Sequence, residues 1–449
     1  MAREPEIDDL AIIGGGFAGA SVAVACAQHA RHARVLLFAP EPPGQGAAYG
    51  PSEPLWFMNG PARAMSCIAG DPEHLVRTLQ CRPDEFLTRA RFGAYVTETL
   101  RTETARTSNV VIERRTVVDI ERRNADFVLE DDRGTRFRAR NVVLAVGNAK
   151  PPEAFLPTAV RNSKRYFGDP WRTPTSALPH GDMLCIGNGL TAIDRVAAYA
   201  ASSQSGTAYT IGRHRFLPAR EDAEARACNY APLCLDERSP LNMLRSVRSA
   251  MQQRVAQGGD WREVAEALRR PSQRIWQSWT LVQRRQFVEH LASLWGSLRY
   301  RVPPLTDDAV ATLRASGRYI ALHGTLVDAS EVDNGILIAF RAGGELRSLR
   351  VASVVNCTGP NGDLRSDSNP LLRALLARGL IRPDALHLGI DATPYGEAID
   401  SEGLADERLF VLGPPLRGVL YETTAVPEIA EQARAIARRV ACRRESCVA

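Results

Sequence analysis

The chain has 449 residues, 45% of them hydrophobic and 24% charged, with a formal net charge of +5; that length calls for two or three domains of ordinary globular composition. No run of about 18 apolar residues is present, which argues against a membrane span. Lysine occurs only at Lys150 and Lys164, so the positive charge is arginine scattered along the chain, which argues against a basic patch for nucleic acid.

The N-terminal stretch Met1 to Asp9 is polar and acidic and lacks a signal-peptide pattern, so a cytoplasmic protein is expected. The cysteines (Cys26, Cys67, Cys81, Cys185, Cys228, Cys234, Cys357, Cys442 and Cys447) form no CxxC pair and no zinc-ligand spacing. A dithiol redox centre and a bound metal are therefore not expected, and the thiols read as free and mostly buried.

In chain order, the apolar run Leu10 to Ile13 leads into Gly14-Gly15-Gly16-Phe17-Ala18-Gly19, and Arg34 to Phe38 reads as the next strand. This is the opening of a Rossmann unit, whose bare glycine backbone lets a pyrophosphate approach the amides at a helix N-terminus. A loop-rich stretch follows, then alternating apolar segments around residues 110–146 that suggest a small antiparallel sheet returning to the strand Asn141 to Gly147. Pro151-Pro152 marks a hinge or linker. A second fingerprint, Gly187-Asn188-Gly189-Leu190-Thr191-Ala192, follows the run Met183 to Ile186. Residues 238–300 carry helical periodicity with Trp261, Trp276, Trp279 and Trp295, which reads as a helical insertion packed by its tryptophans. Strand patterns resume near residues 318–357, a last strand lies at Leu409 to Gly413, and a helix should begin near Val426-Pro427.

Two fingerprints imply two nucleotides on one polypeptide, and the usual reason is electron transfer from a nicotinamide to a flavin. The predicted fold is α/β, with two Rossmann-type domains. The FAD-binding domain, residues 1–165 and 311–449, is split by an NADPH-binding domain, residues 166–310, that carries the helical insertion. The second strand of the second unit, Ala208 to Ile211, ends without an acid and is followed by Arg213 and Arg215. Two guanidiniums there suit the 2′-phosphate of NADPH; the alternative is that they are exposed strand-end charges. In the first unit Ala39 stands where a ribose-binding acid is expected. Glu41 either serves from two residues further on or is an ordinary loop acid.

The two fingerprints, with Met58-Asn59-Gly60-Pro61-Ala62-Arg63-Ala64-Met65-Ser66, Asn356-Cys357-Thr358-Gly359-Pro360 and Glu422-Thr423-Thr424-Ala425-Val426-Pro427-Glu428, make the chain resemble bacterial FAD/NAD(P)-binding oxidoreductases allied to class B flavin monooxygenases. One branch of that family hydroxylates amino-acid nitrogens. The resemblance implies an NADPH-dependent enzyme that reduces FAD and passes dioxygen, through a flavin C4a-hydroperoxide, to a small polar nucleophile such as an amine or amino acid. Asn59 is implied as the donor lining the flavin, and the backbone of Thr424 and Val426 as the helix N-terminus that stabilises reduced flavin. Cofactor contacts are further expected at Gly14, Gly16, Phe17, Ala18, Gly19, Tyr49, Met65, Val118, Gly147, Gly187, Asn188, Gly189, Leu190, Thr191, Thr358, Gly359 and Gly413. Arg284, Arg285 and Arg301 are candidates to hold a substrate carboxylate. Three features depart from the family: Ala39 stands where relatives carry the ribose-binding acid, Phe167-Gly168-Asp169-Pro170-Trp171 lacks the histidine of the FxGxxxH monooxygenase fingerprint, and Pro414 follows Gly413 in place of an aspartate. They keep open an NADPH-driven flavin reductase without oxygenation and a nucleotide-binding regulatory protein. Homo-oligomerisation is left open.

Overall fold

A computed structural model describes residues 6–50, 53–222, 239–269 and 271–448, with side chains as far as residue 443; Cys228, Cys234 and the side chain of Cys447 lie outside that description. Two parallel sheets organise the chain. The first runs Glu397–Ile399, Ala405–Val411, Val142–Leu144, Leu10–Ile13, Val35–Phe38, Val110–Glu113, parallel except for the outermost pair formed by its two C-terminal strands. It is therefore assembled from both ends of the chain. The second runs Tyr319–His323, Ala208–Gly212, Met183–Ile186, Ser353–Asn356, Tyr166–Phe167 and is parallel throughout.

Alternation along the central strands decides what covers each face. Leu10 and Ile12 point into a core shared with the helices Phe17–His29, Arg89–Ala105 and Val426–Val448. Ala11 and Ile13 point the other way, towards a four-stranded sheet made of Ile7–Asp8 and three strands in residues 117–139, and the helix Pro370–Ala377. In the second sheet, Met183 and Cys185 face the helices Leu190–Ala201 and Pro304–Ala315. Leu184 and Ile186 face the antiparallel meander Thr325–Val332, Gly335–Ala342, Glu345–Val351. Leu10–Ile13, Val35–Phe38, Val142–Leu144 and Met183–Ile186 are buried and apolar at every position, the pattern of strands covered on both sides.

Two expectations are corrected. The boundary at residue 310 falls too early, because Tyr319–His323 and Ser353–Asn356 pair within the second sheet and not in the second part of the first domain. Their short apolar runs fit either sheet equally well, and only register against Ala208–Gly212 and Met183–Ile186 assigns them. Val110–Glu113 likewise forms the edge of the main sheet instead of joining the small antiparallel one.

The helical insertion spans Pro240–Ala256, Trp261–Arg269, Ser272–Ser278, Leu281–His290 and Ala292–Arg299. Ser239 caps the first helix and a Thr280–Gln283 capping box starts the fourth. Its seam to the second domain is a buried charge cluster: Arg301 Nε lies 2.9 Å from Glu221 and its NH2 3.3 Å from Glu266, with Arg301 and Glu221 almost wholly buried. Removing one member strands the others' charge in a poorly solvated site. Arg301→Met is therefore expected to cost about 3–5 kcal/mol of stability, read as a lowered urea midpoint, and Arg301→Lys is expected to recover part of it.

Candidate functional site

Each fingerprint occupies the same place in its sheet, and a carbonyl of the neighbouring strand's exit holds each in the same way. Gly14 has φ +114°, and a Cβ there would lie 2.4 Å from the Ala145 carbonyl oxygen. Gly187 has φ +130°, and a Cβ there would lie 2.2 Å from the Cys357 carbonyl oxygen. Only glycine fits either position. Gly19 lets the first helix approach its strand, since a Cβ there would lie 1.8 Å from the Gly14 carbonyl oxygen.

Gly16 precedes the helix Phe17–His29, and the first bond of that helix runs from the Ala20 amide to Gly16 O. The amides of Phe17, Ala18 and Gly19 thus come before the helical ladder and point out of its end. Gly413 has φ +77° and sits beside them: a Cβ on it would be 3.6 Å from the Ala18 methyl and 3.8 Å from Ile429. Its carbonyl accepts the Thr423 hydroxyl at 3.2 Å, and its amide reaches Gln432 at 3.4 Å. Those bonds place Thr424 and Val426 at the start of Val426–Val448, whose first bond runs from Ile429 to Ala425 O. Two helix N-termini therefore converge across Gly413. Gln432, absent from the sequence reading, holds the junction; nothing in its sequence context marks it.

The remaining predicted residues are more dispersed. Val118 lies in the bulge between Val117 and Asp119 of its strand, where the ladder is interrupted. Gly147 follows Val142–Leu144 at φ +74° with open space on its Cβ side. Tyr49 packs edge-on against Phe17 and Phe92, with centroids at 6.0 and 4.8 Å, and Met65 is buried in the same core. Asn59 is half-buried in the loop beyond Met58, whose amide is fixed by Leu87 O at 2.8 Å. Ala39 is buried, and a Cβ on Gly15 would fall 2.3 Å from its methyl, so Ala39 fills the space against the turn. Glu41 is exposed and lies 3.4 Å from Arg172.

At the second turn, Gly189 opens the helix Leu190–Ala201 and has nothing within 4 Å of a Cβ, leaving a bare cradle beside Leu190 and Thr191. The Asn188 amide nitrogen donates to His214 O at 3.3 Å, while its Oδ1 is buried without a partner among the described residues. Arg213 and Arg215 are exposed just past Ala208–Gly212, and neither is paired with a carboxylate among the described residues. Thr358 and Gly359 leave Ser353–Asn356 next to Gly187, the Thr358 hydroxyl donating to Asn356 Oδ1 at 2.7 Å. An open glycine cradle, an acceptor unpartnered among the described residues and two exposed guanidiniums suit a phosphorylated dinucleotide.

Of the arginines considered for a carboxylate, Arg301 is consumed by Glu221 and Glu266, and Arg284 donates to the Trp276 and Gln277 carbonyls. Arg285 is exposed. Asp194, one turn into the second fingerprint helix, is buried and lies 2.9 Å from Arg89 of the first domain. Trp56 donates its indole N–H to Asp194 O at 3.0 Å and stands edge-on to Trp171 at 5.2 Å, and Arg89 lies over Trp171. This latch between domains has no signal in sequence beyond Asp194 itself.

Residues 11–149 match a family model described as FAD-NAD(P)-binding. No curated protein matches the chain in sequence. Among solved structures, the ornithine N-hydroxylase of Kutzneria sp. 744 is 14% identical with a TM-score of 0.64, covering 98% of this chain and 100% of that one. The L-lysine 6-monooxygenase of Pseudomonas syringae is 16% identical with a TM-score of 0.65, covering 96% and 99%. The bacillithiol disulfide reductase of Bacillus cereus is 13% identical with a TM-score of 0.59, covering 98% and 100%. The chain shares the fold of these proteins, and residues 11–149 form an FAD/NAD(P)-binding region. No helix among the described residues is long and apolar enough to cross a membrane.

Burial raises the Asp194 carboxyl to about 6 despite the attraction of Arg89. Folded Asp194 thus binds its proton more tightly than unfolded Asp194, so this group's contribution to stability falls as pH rises from about 4 to about 6 and is constant above. The span corresponds to about 3 kcal/mol. Urea unfolding across that range is expected to lose this slope in Asp194→Asn.

Proposed function

We propose that the chain is an NADPH-dependent, FAD-containing monooxygenase that hydroxylates the nitrogen of an amine or amino acid. The observation that carries this reading is the pair of equivalent glycine turns, one in each parallel sheet, with a helical insertion seated against the junction at Gly413 to Val426. Near-complete coverage by the fold of an ornithine N-hydroxylase and a lysine monooxygenase supports it.

Bound flavin supplies the relay of two electrons from nicotinamide to dioxygen. The chain's own part is binding, orientation and exclusion of water. Amides of Phe17, Ala18 and Gly19 take one pyrophosphate and those at Leu190 and Thr191 the other. Arg213 and Arg215 select the 2′-phosphate. The N-terminus of Val426–Val448 offers backbone dipole to the anionic reduced ring. Asn59 supplies an amide donor that holds an oxygen without offering it an acidic proton. The substrate is a small molecule, and no macromolecular partner is required.

Replacing both Arg213 and Arg215 by alanine is expected to raise the KM for NADPH at least about tenfold while leaving that for NADH nearly unchanged. Steady-state reduction of the FAD-loaded protein measures both. Oxygen uptake with an amine substrate is expected to yield hydroxylated product in step with NADPH consumed. Asn59→Ala should keep NADPH oxidation and divert most of the oxygen to hydrogen peroxide. The likeness to a disulfide reductase favours one rival, an NADPH-driven flavin reductase. Hydrogen peroxide alone with every amine, together with rapid anaerobic turnover of an added acceptor, would replace the monooxygenase reading with that one.

A further inference from the structure

The helical insertion forms a pocket of about 100 Å³, open on one side, that neither fingerprint uses. Its walls include Trp276, Trp279, Phe287, Met243, Leu294 and Tyr421, and they are almost wholly apolar. Polar tips that would otherwise wet it are turned out and bonded. The Trp276 indole N–H goes to Gly418 O at 3.0 Å and that of Trp295 to Glu422 Oε1 at 3.0 Å. The hydroxyl of Ser272 goes to Arg269 O at 2.6 Å. Arg284 lies over Trp276 at 5.4 Å and gives its protons to the carbonyls of Trp276 and Gln277. The two indole bonds lock their rings in place and the others turn polar groups away, so the pocket is preformed and its lining is apolar.

One wall residue does not belong to the insertion. Tyr421 comes from the segment that leads into the C-terminal helix, and its ring lies 4.8 Å from Trp276 and 5.1 Å from Phe287. Its backbone is held at φ 58°, a conformation that bulky residues rarely adopt. The neighbours on both sides explain the hold. Gly418 O is bonded by Trp276, and Glu422, 2% exposed, meets Trp295, Tyr300 at 3.5 Å and Arg299 at 3.6 Å. Two residues beyond Tyr421, Thr423 bonds Gly413 at the meeting of the two helix N-termini. Through Tyr421 the cavity thus adjoins the end of the site where the reducing ring would lie.

We infer that this cavity is the substrate's side-chain subsite and that it takes an apolar group, an alkyl chain or an aromatic ring, on a primary amine. The inference rests on the monooxygenase reading for the meaning of "substrate", and it narrows it. A second charged group, as in ornithine or cadaverine, would lose its hydration inside these walls without gaining a partner. No carboxylate among the described residues lines the pocket, and Glu422, bonded to Trp295 of its wall, is already paired with Arg299. The reacting nitrogen lies at the Tyr421 end and the apolar part among the tryptophans.

The test is equilibrium binding to the FAD-loaded full chain, by tryptophan fluorescence and calorimetry, of butylamine, pentylamine, hexylamine, octylamine and phenethylamine, with cadaverine and ornithine as charged comparisons. Affinity is expected to rise about three- to fourfold per methylene along the alkyl series. Pentylamine should bind at least about tenfold more tightly than cadaverine. Leu294→Trp and, independently, Leu244→Trp fill the cavity from partly exposed wall positions. In whichever retains the flavin spectrum and NADPH-driven reduction, the chain-length dependence should disappear. A flat series, cadaverine binding as well as pentylamine, or a filled variant that keeps the dependence overturns the inference. Binding is read without turnover, which separates the two claims. Apolar amines that bind as expected but are never oxygenated leave the subsite standing and remove the monooxygenase reading. Ornithine oxygenated alongside a flat series does the reverse.

Discussion

Two carbonyl oxygens, those of Ala145 and Cys357, set the geometry on which the rest of the molecule depends. Each directly follows an interior strand of its sheet and fills the space a side chain on Gly14 or Gly187 would need. Each also belongs to the stretch by which the chain leaves one domain for the other. The two crossing segments run side by side, Asn361 donating its amide to Lys150 O at 3.2 Å. Both nucleotide turns are therefore packed against the crossings. A shift of one domain relative to the other must move the carbonyl on which a turn rests, so cofactor geometry and domain geometry are coupled through backbone contacts alone.

Side chains reinforce the coupling from two directions. The Arg89–Asp194 pair, with Trp56 and Trp171 around it, fastens the start of one domain's helix to the fingerprint helix of the other. Glu422 fastens the helical insertion to the segment that enters the C-terminal helix, through Trp295, Tyr300 and Arg299. Buried charge of this kind contributes little net stability but penalises alternative arrangements, because any misplacement strands an ion in a poorly solvated site. The insertion is thereby held in one orientation against the junction of helix ends.

The departures at Ala39 and Pro414 look different once the packing is known. Ala39 is seated against Gly15, so the place from which a ribose-binding acid usually reaches is occupied by a methyl group. Glu41, exposed and facing Arg172, has a partner across the domain crossing. Pro414 starts a short turn after Gly413, and the bonds from Thr423 and Gln432 converge on Gly413 itself. At this junction the backbone and Gln432 fix the geometry, and the family's usual side chain is not needed for it.

Local chemistry was enough to read the strands before each fingerprint, the glycine turns, the start of the C-terminal helix and the split order of the domains. Glycine at a strand-to-helix turn, uninterrupted apolar strands and a proline beside a helix start are each dictated by neighbours a few residues away. The assignment of Tyr319–His323 and Ser353–Asn356 to the second sheet was not legible, because a short buried strand carries no label of its partner and register is decided across the fold. Trp276, Trp279 and Trp295 of the insertion read correctly as packing residues, while Trp261 lies outside their core; the space the three line arises only when Tyr421, more than a hundred residues away in sequence, is brought against them. Sequence alone thus determined that there are two glycine strand-to-helix turns and where each lies, since those depend on backbone freedom. What the site can accommodate, and the buried ion pairs that hold its parts together, were decided by tertiary structure, since they depend on surfaces that meet only in the folded chain.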